Sequence, residues 1–244
     1  MRMRKKKHRE ERLVACGEYL YEHEGAPLSM PSEQIFGRAE STFCLEIGAG
    51  KGGFAVGVAQ REENVTYLAM ERVTDCVVLA VELAKARGVA DRLRFINETA
   101  DNLTDVLAPG SVDRIYLNFS DPWSKKGYAK RRLTHRRYLS VYLNLLKDGG
   151  VLQFKTDNVG LFDFSLEEIS SLGLVPYVVE RDLHSSEFAA DNVVTEYEAA
   201  FSAQGVKINM LRLRKPVGFT VEVDPSLRSD RIRYNPHEGG ADNG

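Results

Sequence analysis

The 244-residue sequence predicts an α/β fold, a mostly parallel sheet with helices on both faces and one antiparallel strand. Three observations predict it. From about residue 42, short apolar runs alternate with segments of helical spacing. A glycine-rich turn follows the first run, and the last two runs have no long periodic helix between them. Repeated strand–helix units imply a parallel sheet covered on both faces, because each crossover lays a helix across the sheet. Two final strands without such a crossover fit an antiparallel strand added at one end.

The elements follow in order. Thr42–Ile47 is an apolar run that ends in glycines, a strand and its turn. Phe54–Gln60 reads as a helix and Val65–Glu71 as the second strand. Val73–Arg87 carries Val77, Val78, Val81, Leu83 and Ala84 at helical spacing and stops before Gly88, a residue suited to a helix end. Leu93–Ile96 is a short strand, Leu103–Leu107 a helical turn or two, and Val112–Phe119 an apolar strand. Tyr138–Leu146 reads as a helix closed by Asp148-Gly149-Gly150. Val151–Phe154 is a strand, Leu161–Leu172 a helix, and Leu174–Val179 and Val206–Leu213 close the series as strands.

Three regions result. Residues 1–40 form a basic arm and a helical lead-in, residues 41–215 the domain that carries the function, and residues 216–244 a partly disordered tail ending in polar and glycine residues. Hydrophobic residues make up 43% and charged ones 28%, which suits a globular chain with a full core. The net charge of −2 hides a strong asymmetry. Residues 1–12 and 124–137 together hold 14 of the 33 Lys/Arg and only two of the 35 Asp/Glu, so the remainder carries a net −14. An acidic body with two concentrated basic segments fits a grip on a polyanion, either segment alone being equally a solvated face or a basic tail. Cys16, Cys44 and Cys76 are too scattered for a disulfide framework, and the five histidines have no metal-ligand spacing. No run reaches the length of a membrane span and no signal-peptide core follows the basic start. The expectation is a cytoplasmic protein without metal or membrane, monomeric or a homodimer.

Glu46-Ile47-Gly48-Ala49-Gly50-Lys51-Gly52-Gly53 contains G-x-G-x-x-G between a strand and a helix, a pattern that serves a dinucleotide or simply a tight join. No Ser or Thr follows the lysine as a P-loop requires. Glu46 discriminates further: a carboxylate just before the glycines repels a pyrophosphate but suits a cationic amino-acid end or a sulfonium. Glu71 closes the second strand, where a carboxylate accepts hydrogen bonds from ribose hydroxyls or merely caps the strand end. Glu98 follows the third strand, at the place for an adenine edge or a solvated loop acid. Asp121 ends the fourth. Ligands of open α/β sheets bind outside the carboxyl ends of the strands, so the four acids line one crevice. S-adenosylmethionine is the ligand that fits a crevice lined with acids and floored with glycines.

Asn118-Phe119-Ser120-Asp121-Pro122-Trp123, Lys130-Arg131-Arg132-Leu133-Thr134, Lys155-Thr156-Asp157-Asn158 and Thr195-Glu196-Tyr197-Glu198, in this order after the glycine turn, resemble the bacterial tRNA (guanine-46-N7-)-methyltransferases over about residues 1–215. The resemblance implies a Rossmann-like class I methyltransferase fold, S-adenosylmethionine as cofactor and a guanine of the tRNA variable loop as target. It implies that Glu46, Gly48, Gly50, Glu71, Glu98 and Asp121 meet the cofactor, with Asp121 also catalytic. It places Lys125, the Gly127–Arg132 segment (Lys130, Arg131 and Arg132 among it), Asp157, Thr195, Glu196, Tyr197 and Glu198 on the tRNA. Ser124 stands where a proline is usual, Gly127-Tyr128 where an Arg-His pair is usual, and Glu98 where a shorter Asp or Asn is common.

The chemistry agrees. Guanine N7 bears a lone pair and no proton, so the reaction asks for alignment rather than a general base. Guanine's N1–H and N2–H₂ are donors that carboxylates accept. Trp123 stacks on a base or packs under its loop, and Thr195-x-x-Glu198 is also a capping box. The basic loop binds phosphates without reading sequence. Two other enzymes remain open on these residues: an exocyclic-amino methyltransferase of RNA or DNA, since Asp-Pro-aromatic resembles the corner that holds an amino nitrogen, and a nicotinamide-dependent oxidoreductase on the same glycine turn. A non-catalytic RNA-binding protein of the same fold is the third alternative.

Overall fold

A computed structural model describes residues 9–224. Most of the predicted basic arm (residues 1–8) and the tail beyond residue 224 lie outside the described residues. The elements are α1 (Arg9–Val14), α2 (Pro31–Phe36), β1 (Thr42–Ile47), α3 (Gly53–Arg61), β2 (Val65–Met70), α4 (Thr74–Arg87), β3 (Leu93–Ile96), α5 (Leu103–Val106), β4 (Val112–Asn118), α6 (Arg136–Leu145), β5 (Leu146–Thr156), α7 (Val159–Ser171), β6 (Val178–Glu180), α8 (Glu196–Ser202) and β7 (Asn209–Arg214). They form one seven-stranded sheet in the order β3-β2-β1-β4-β5-β7-β6. β1 to β5 run parallel.

β1 and β2 are nearly continuous apolar runs because both of their faces are buried. Alternate residues serve opposite layers. Leu45, Ile47, Leu68 and Met70 pack with α6 and α7, while Cys44, Tyr67 and Ala69 pack with α3 and α4. Each fully buried Leu or Phe of these layers contributes about 1.5–3 kcal/mol relative to exposure. Leu20 bridges Phe95 and so covers the outer edge of β3, and Leu28 bridges Leu107 just after α5.

Two expectations change. The antiparallel strand is not added at the end of the sheet: β7 inserts between β5 and β6 and pairs antiparallel with both. The connection between β6 and β7, residues 181–208, holds short 3-10 turns and α8 in place of a long helix laid across the sheet. Asp148-Gly149-Gly150 is not a helix stop either but belongs to β5, where the register with β4 shifts between Val112 and Arg114. Gly150 is required there, since a Cβ would lie 2.9 Å from the Lys147 carbonyl oxygen and 3.1 Å from that of Asp113. Beyond Pro216, Phe219, Val221 and Val223 pack against the core. Among the described residues no helix is long and apolar enough to cross a membrane, and no cluster of side chains could hold a metal ion.

Candidate active site

The parallel strands β1, β2, β3, β4 and β5 end on one edge of the sheet, and the turns that follow enclose two adjoining cavities of about 430 and 560 Å³. Gly48 and Phe119 line both, so they are parts of one crevice. Its glycine floor depends on backbone geometry. Gly48, Gly50 and Gly52 have φ of 80°, 56° and 77°, the left-handed region that side chains disfavour. A Cβ on Gly52 would lie 2.8 Å from the Ala80 Cβ, so α3 packs closely on α4 only with glycine there. At Gly50 a Cβ would meet nothing within 4 Å, so the turn faces open space at the crevice.

The four acids predicted at the strand ends, Glu46, Glu71, Glu98 and Asp121, line this crevice, each in a different state. Glu46 is 1% exposed and accepts hydrogen bonds from Asn118 Nδ2 (2.8 Å) and Tyr67 Oη (3.3 Å). Burial pushes its carboxyl up from 4.5 to about 7, and the two hydrogen bonds work against that shift. Glu71 is buried and ties two backbone segments together, accepting from Gly50 N–H (2.9 Å) and Val73 N–H (2.8 Å). Glu98 accepts from Asn102 Nδ2 (2.8 Å) and Thr99 N–H (3.1 Å). The Asp121 side chain is 69% exposed, 3.7 Å from Arg72 Nη2.

Two residues not among the predicted site residues, Asn118 and Ser120, complete the lining. The Asn118 Oδ1 and Ser120 Oγ atoms are buried without a hydrogen-bond partner among the described residues. Buried polar atoms are nearly always paired, so both are open positions for a ligand. The acceptor set suits S-adenosylmethionine: a buried carboxylate beside a glycine turn for a cationic amino-acid end, and carboxylates further along for hydroxyl and amino donors. The signal in the sequence was Asn118 and Ser120, two polar residues flanking Phe119 where the apolar run Ile115–Leu117 ends.

The corner after β4 is strained. Phe119 (φ 53°) and Trp123 (φ 41°) are the non-glycine residues with positive φ among those described, and both line the crevice. Such conformations cost on the order of 1–3 kcal/mol each and persist only where the surroundings enforce them. Arg132 does so, donating from Nε to the Pro122 carbonyl (3.0 Å) and from Nη2 to the Trp123 carbonyl (3.2 Å) while lying over the Phe164 ring. Trp123 is half-buried on the loop rather than sunk in the core. The Arg131 guanidinium stacks on it at 5.1 Å and on Tyr128 at 4.6 Å.

The basic segment therefore divides. Lys125, Lys126 and Lys130 are exposed, and Arg131 lines the crevice. Arg132 is spent on the corner. Arg136 makes a two-pronged pair with Glu168 (2.9 and 3.0 Å), and Arg137 is buried against the Tyr138 hydroxyl. Thr195-Glu196-Tyr197-Glu198 divides in the same way. Thr195, Glu196 and Tyr197 line the crevice opposite the glycine turn. Glu198 does not: it completes a capping box with Thr195 and points into the interior, where Lys155 Nζ donates to it at 2.7 Å. Asp157 meets the site through Tyr197, whose hydroxyl donates to it at 3.5 Å.

Comparison with known proteins bears on the family and the fold. A family described as "Putative methyltransferase" matches residues 40–211. A tRNA (guanine-N(7)-)-methyltransferase of Bacillus licheniformis is 42% identical over 197 residues, 78% of this chain and 91% of that protein. The enzyme of that name from Geobacillus sp. is 39% identical over 220 residues, covering 88% and 96%. Among solved structures the 16S rRNA methyltransferase KamB superposes with a TM-score of 0.58 at 11% identity, over 80% of this chain and 97% of that one. A likeness at that identity speaks to the fold alone, the class I methyltransferase fold. With matches of this extent across the whole catalytic body, the chain belongs to the tRNA (guanine-N(7)-)-methyltransferase family.

Proposed function

We propose that this protein transfers the methyl group of S-adenosylmethionine to N7 of guanine 46 in the variable loop of tRNA. The observation that carries the reading is the continuity of the crevice. The acid-lined glycine turn and the Asp121-Pro122-Trp123 corner open into one space through Gly48 and Phe119.

Glu46, the Gly48–Gly50 turn and the Asn118 amide oxygen would hold the amino-acid end of the cofactor, and Glu71 and Glu98 its hydroxyl and amino donors further along. When bound, S-adenosylmethionine supplies an electrophilic methyl on a sulfonium. Guanine N7 presents a free lone pair, so no side chain has to remove a proton. The protein's contribution is alignment, worth up to about 7–11 kcal/mol in ideal cases. A second contribution is negative charge near a purine that becomes cationic. Asp121 is the group for that role, and with Asp157 and Glu196 it offers acceptors for the guanine N–H donors. Lys125, Lys130 and Arg131 would take phosphates next to the target. Arg132 and Glu198 serve the same site from behind, one bracing the corner and the other the Thr195–Tyr197 wall.

The test is methyl transfer from labelled S-adenosylmethionine to unmodified tRNA, with the product mapped by nucleoside mass spectrometry. 7-Methylguanosine at position 46 is the expected product. A methylated exocyclic amine would replace this reading with the amino-methyltransferase. Binding of a nicotinamide cofactor without methyl transfer would replace it with the oxidoreductase, a reading that the buried Glu46 beside the glycines disfavours.

A further inference from the structure

Lys155 lies near the end of β5, paired with Asn118 of the crevice lining, and is fully buried. An ammonium has three N–H donors and no acceptor. All three are used, and all on one short segment: Asn192 Oδ1 at 2.9 Å, the Val193 carbonyl at 3.1 Å and Glu198 Oε2 at 2.7 Å. Glu198, also 0% exposed at its side chain, is in turn held by Asn192 Nδ2 at 2.5 Å and lies 3.1 Å from His184 Nε2. Between these attachment points stand Thr195, Glu196 and Tyr197, which wall the crevice against the glycine turn. The far side of the segment is seated on α3, where a Cβ at Gly57 would come within 2.5 Å of the Val193 side chain. Tyr197 then packs at a tilt against Phe119, a strained residue at the junction of the two cavities, with ring centroids 5.0 Å apart.

We propose that Lys155 is a positioning residue, the anchor that fixes residues 192–198 and so sets the distance between the Thr195–Tyr197 wall and the glycine turn. The inference rests on the reading of this crevice as the cofactor site. A buried ion pair is a poor device for stability alone, because an apolar pair of similar volume is often as stable or more so. What an apolar pair cannot do is hold one loop geometry through directed donors. Residues 192–198 contain no cysteine and their helix α8 is only Glu196–Ser202, so the directed bonds from Lys155 add a fixed attachment to the packing on α3.

The test compares wild type with Lys155→Met and with the double variant Lys155→Met/Glu198→Gln. It reads melting temperature, S-adenosylmethionine affinity by calorimetry, and amide hydrogen exchange over residues 192–202. Lys155→Met alone should melt early, because it leaves a buried carboxylate without its cation. The double variant should recover most of the melting temperature yet bind S-adenosylmethionine about tenfold or more weakly, since misplacement of a positioning group carries penalties of this order. Its exchange should quicken in 192–202 and not in the sheet. Recovery of affinity together with melting temperature would reduce the pair to a stability element and overturn the proposal. If wild type binds no S-adenosylmethionine, the cofactor reading fails, and the anchor is judged on exchange alone. Unchanged protection of 192–202 in the double variant would then refute it.

Discussion

Glu46 offers a quantitative handle on the cofactor site. Its carboxyl, ordinarily at 4.5, is raised to about 7 by burial at the base of the crevice, despite donors from Asn118 and Tyr67 and the Lys155 charge behind it. If the carboxylate form is the one that receives an amino-acid ammonium, cofactor binding must draw a proton off Glu46. The ionised fraction then rises from a few per cent at pH 5.5 to about half at pH 7, so affinity should strengthen roughly fifteenfold over that interval. This window lies below the range in which an amino-acid ammonium itself titrates. The stability of the free protein should move the other way. The unfolded chain releases this proton first, so the contribution of the protonated group is full below about pH 4.5 and is lost as pH rises through 7. Calorimetric titration of S-adenosylmethionine from pH 5.5 to 7, on wild type and on Glu46→Gln, reads both the slope and its source. The variant should bind weakly and without the slope. A flat wild-type profile, or the same slope in Glu46→Gln, would refute the assignment of Glu46 to the ammonium.

Asp121→Ala should lower single-turnover methyl transfer by about a hundredfold or more, while the melt stays near wild type because the side chain is exposed; activity within a few-fold would remove Asp121 from the chemistry. Glu71→Ala should weaken S-adenosylmethionine binding with tRNA affinity nearly intact. It should also cost about 1–3 kcal/mol of stability, because the Gly50 and Val73 N–H groups lose their acceptor. Unchanged cofactor affinity in calorimetry would contradict that role. Joint replacement of Lys125, Lys126 and Lys130 by alanine should shallow the log–log salt dependence of tRNA affinity by roughly two to three. Arg132→Ala should leave that slope alone and lower the melting temperature and turnover, since its donors serve the Pro122 and Trp123 carbonyls. A slope that moves with Arg132 and not with the lysines would reverse the division.

The sequence by itself determined the strand–helix order, the glycine turn after β1 and the acids at the strand ends. These features are local: apolar period, helix-stopping glycines and polar residues that terminate apolar runs are written in adjacent positions. β1 and β3 coincide with their predicted spans for that reason. Tertiary structure alone decided how the charged motifs divide between ligand and protein. Lys130 and Arg132 sit two positions apart in one basic run, yet one is exposed and the other is bound to two carbonyls of a strained corner. Glu196 and Glu198 sit two apart on one helix turn, yet one lines the crevice and the other meets Lys155, 43 positions away in the chain. The insertion of β7 between β5 and β6 belongs with these, because a strand's neighbours depend on the path of the chain between them. Local pattern shows that a residue is charged or that a segment is extended. Which partner it meets is settled by groups brought near only when the sheet closes.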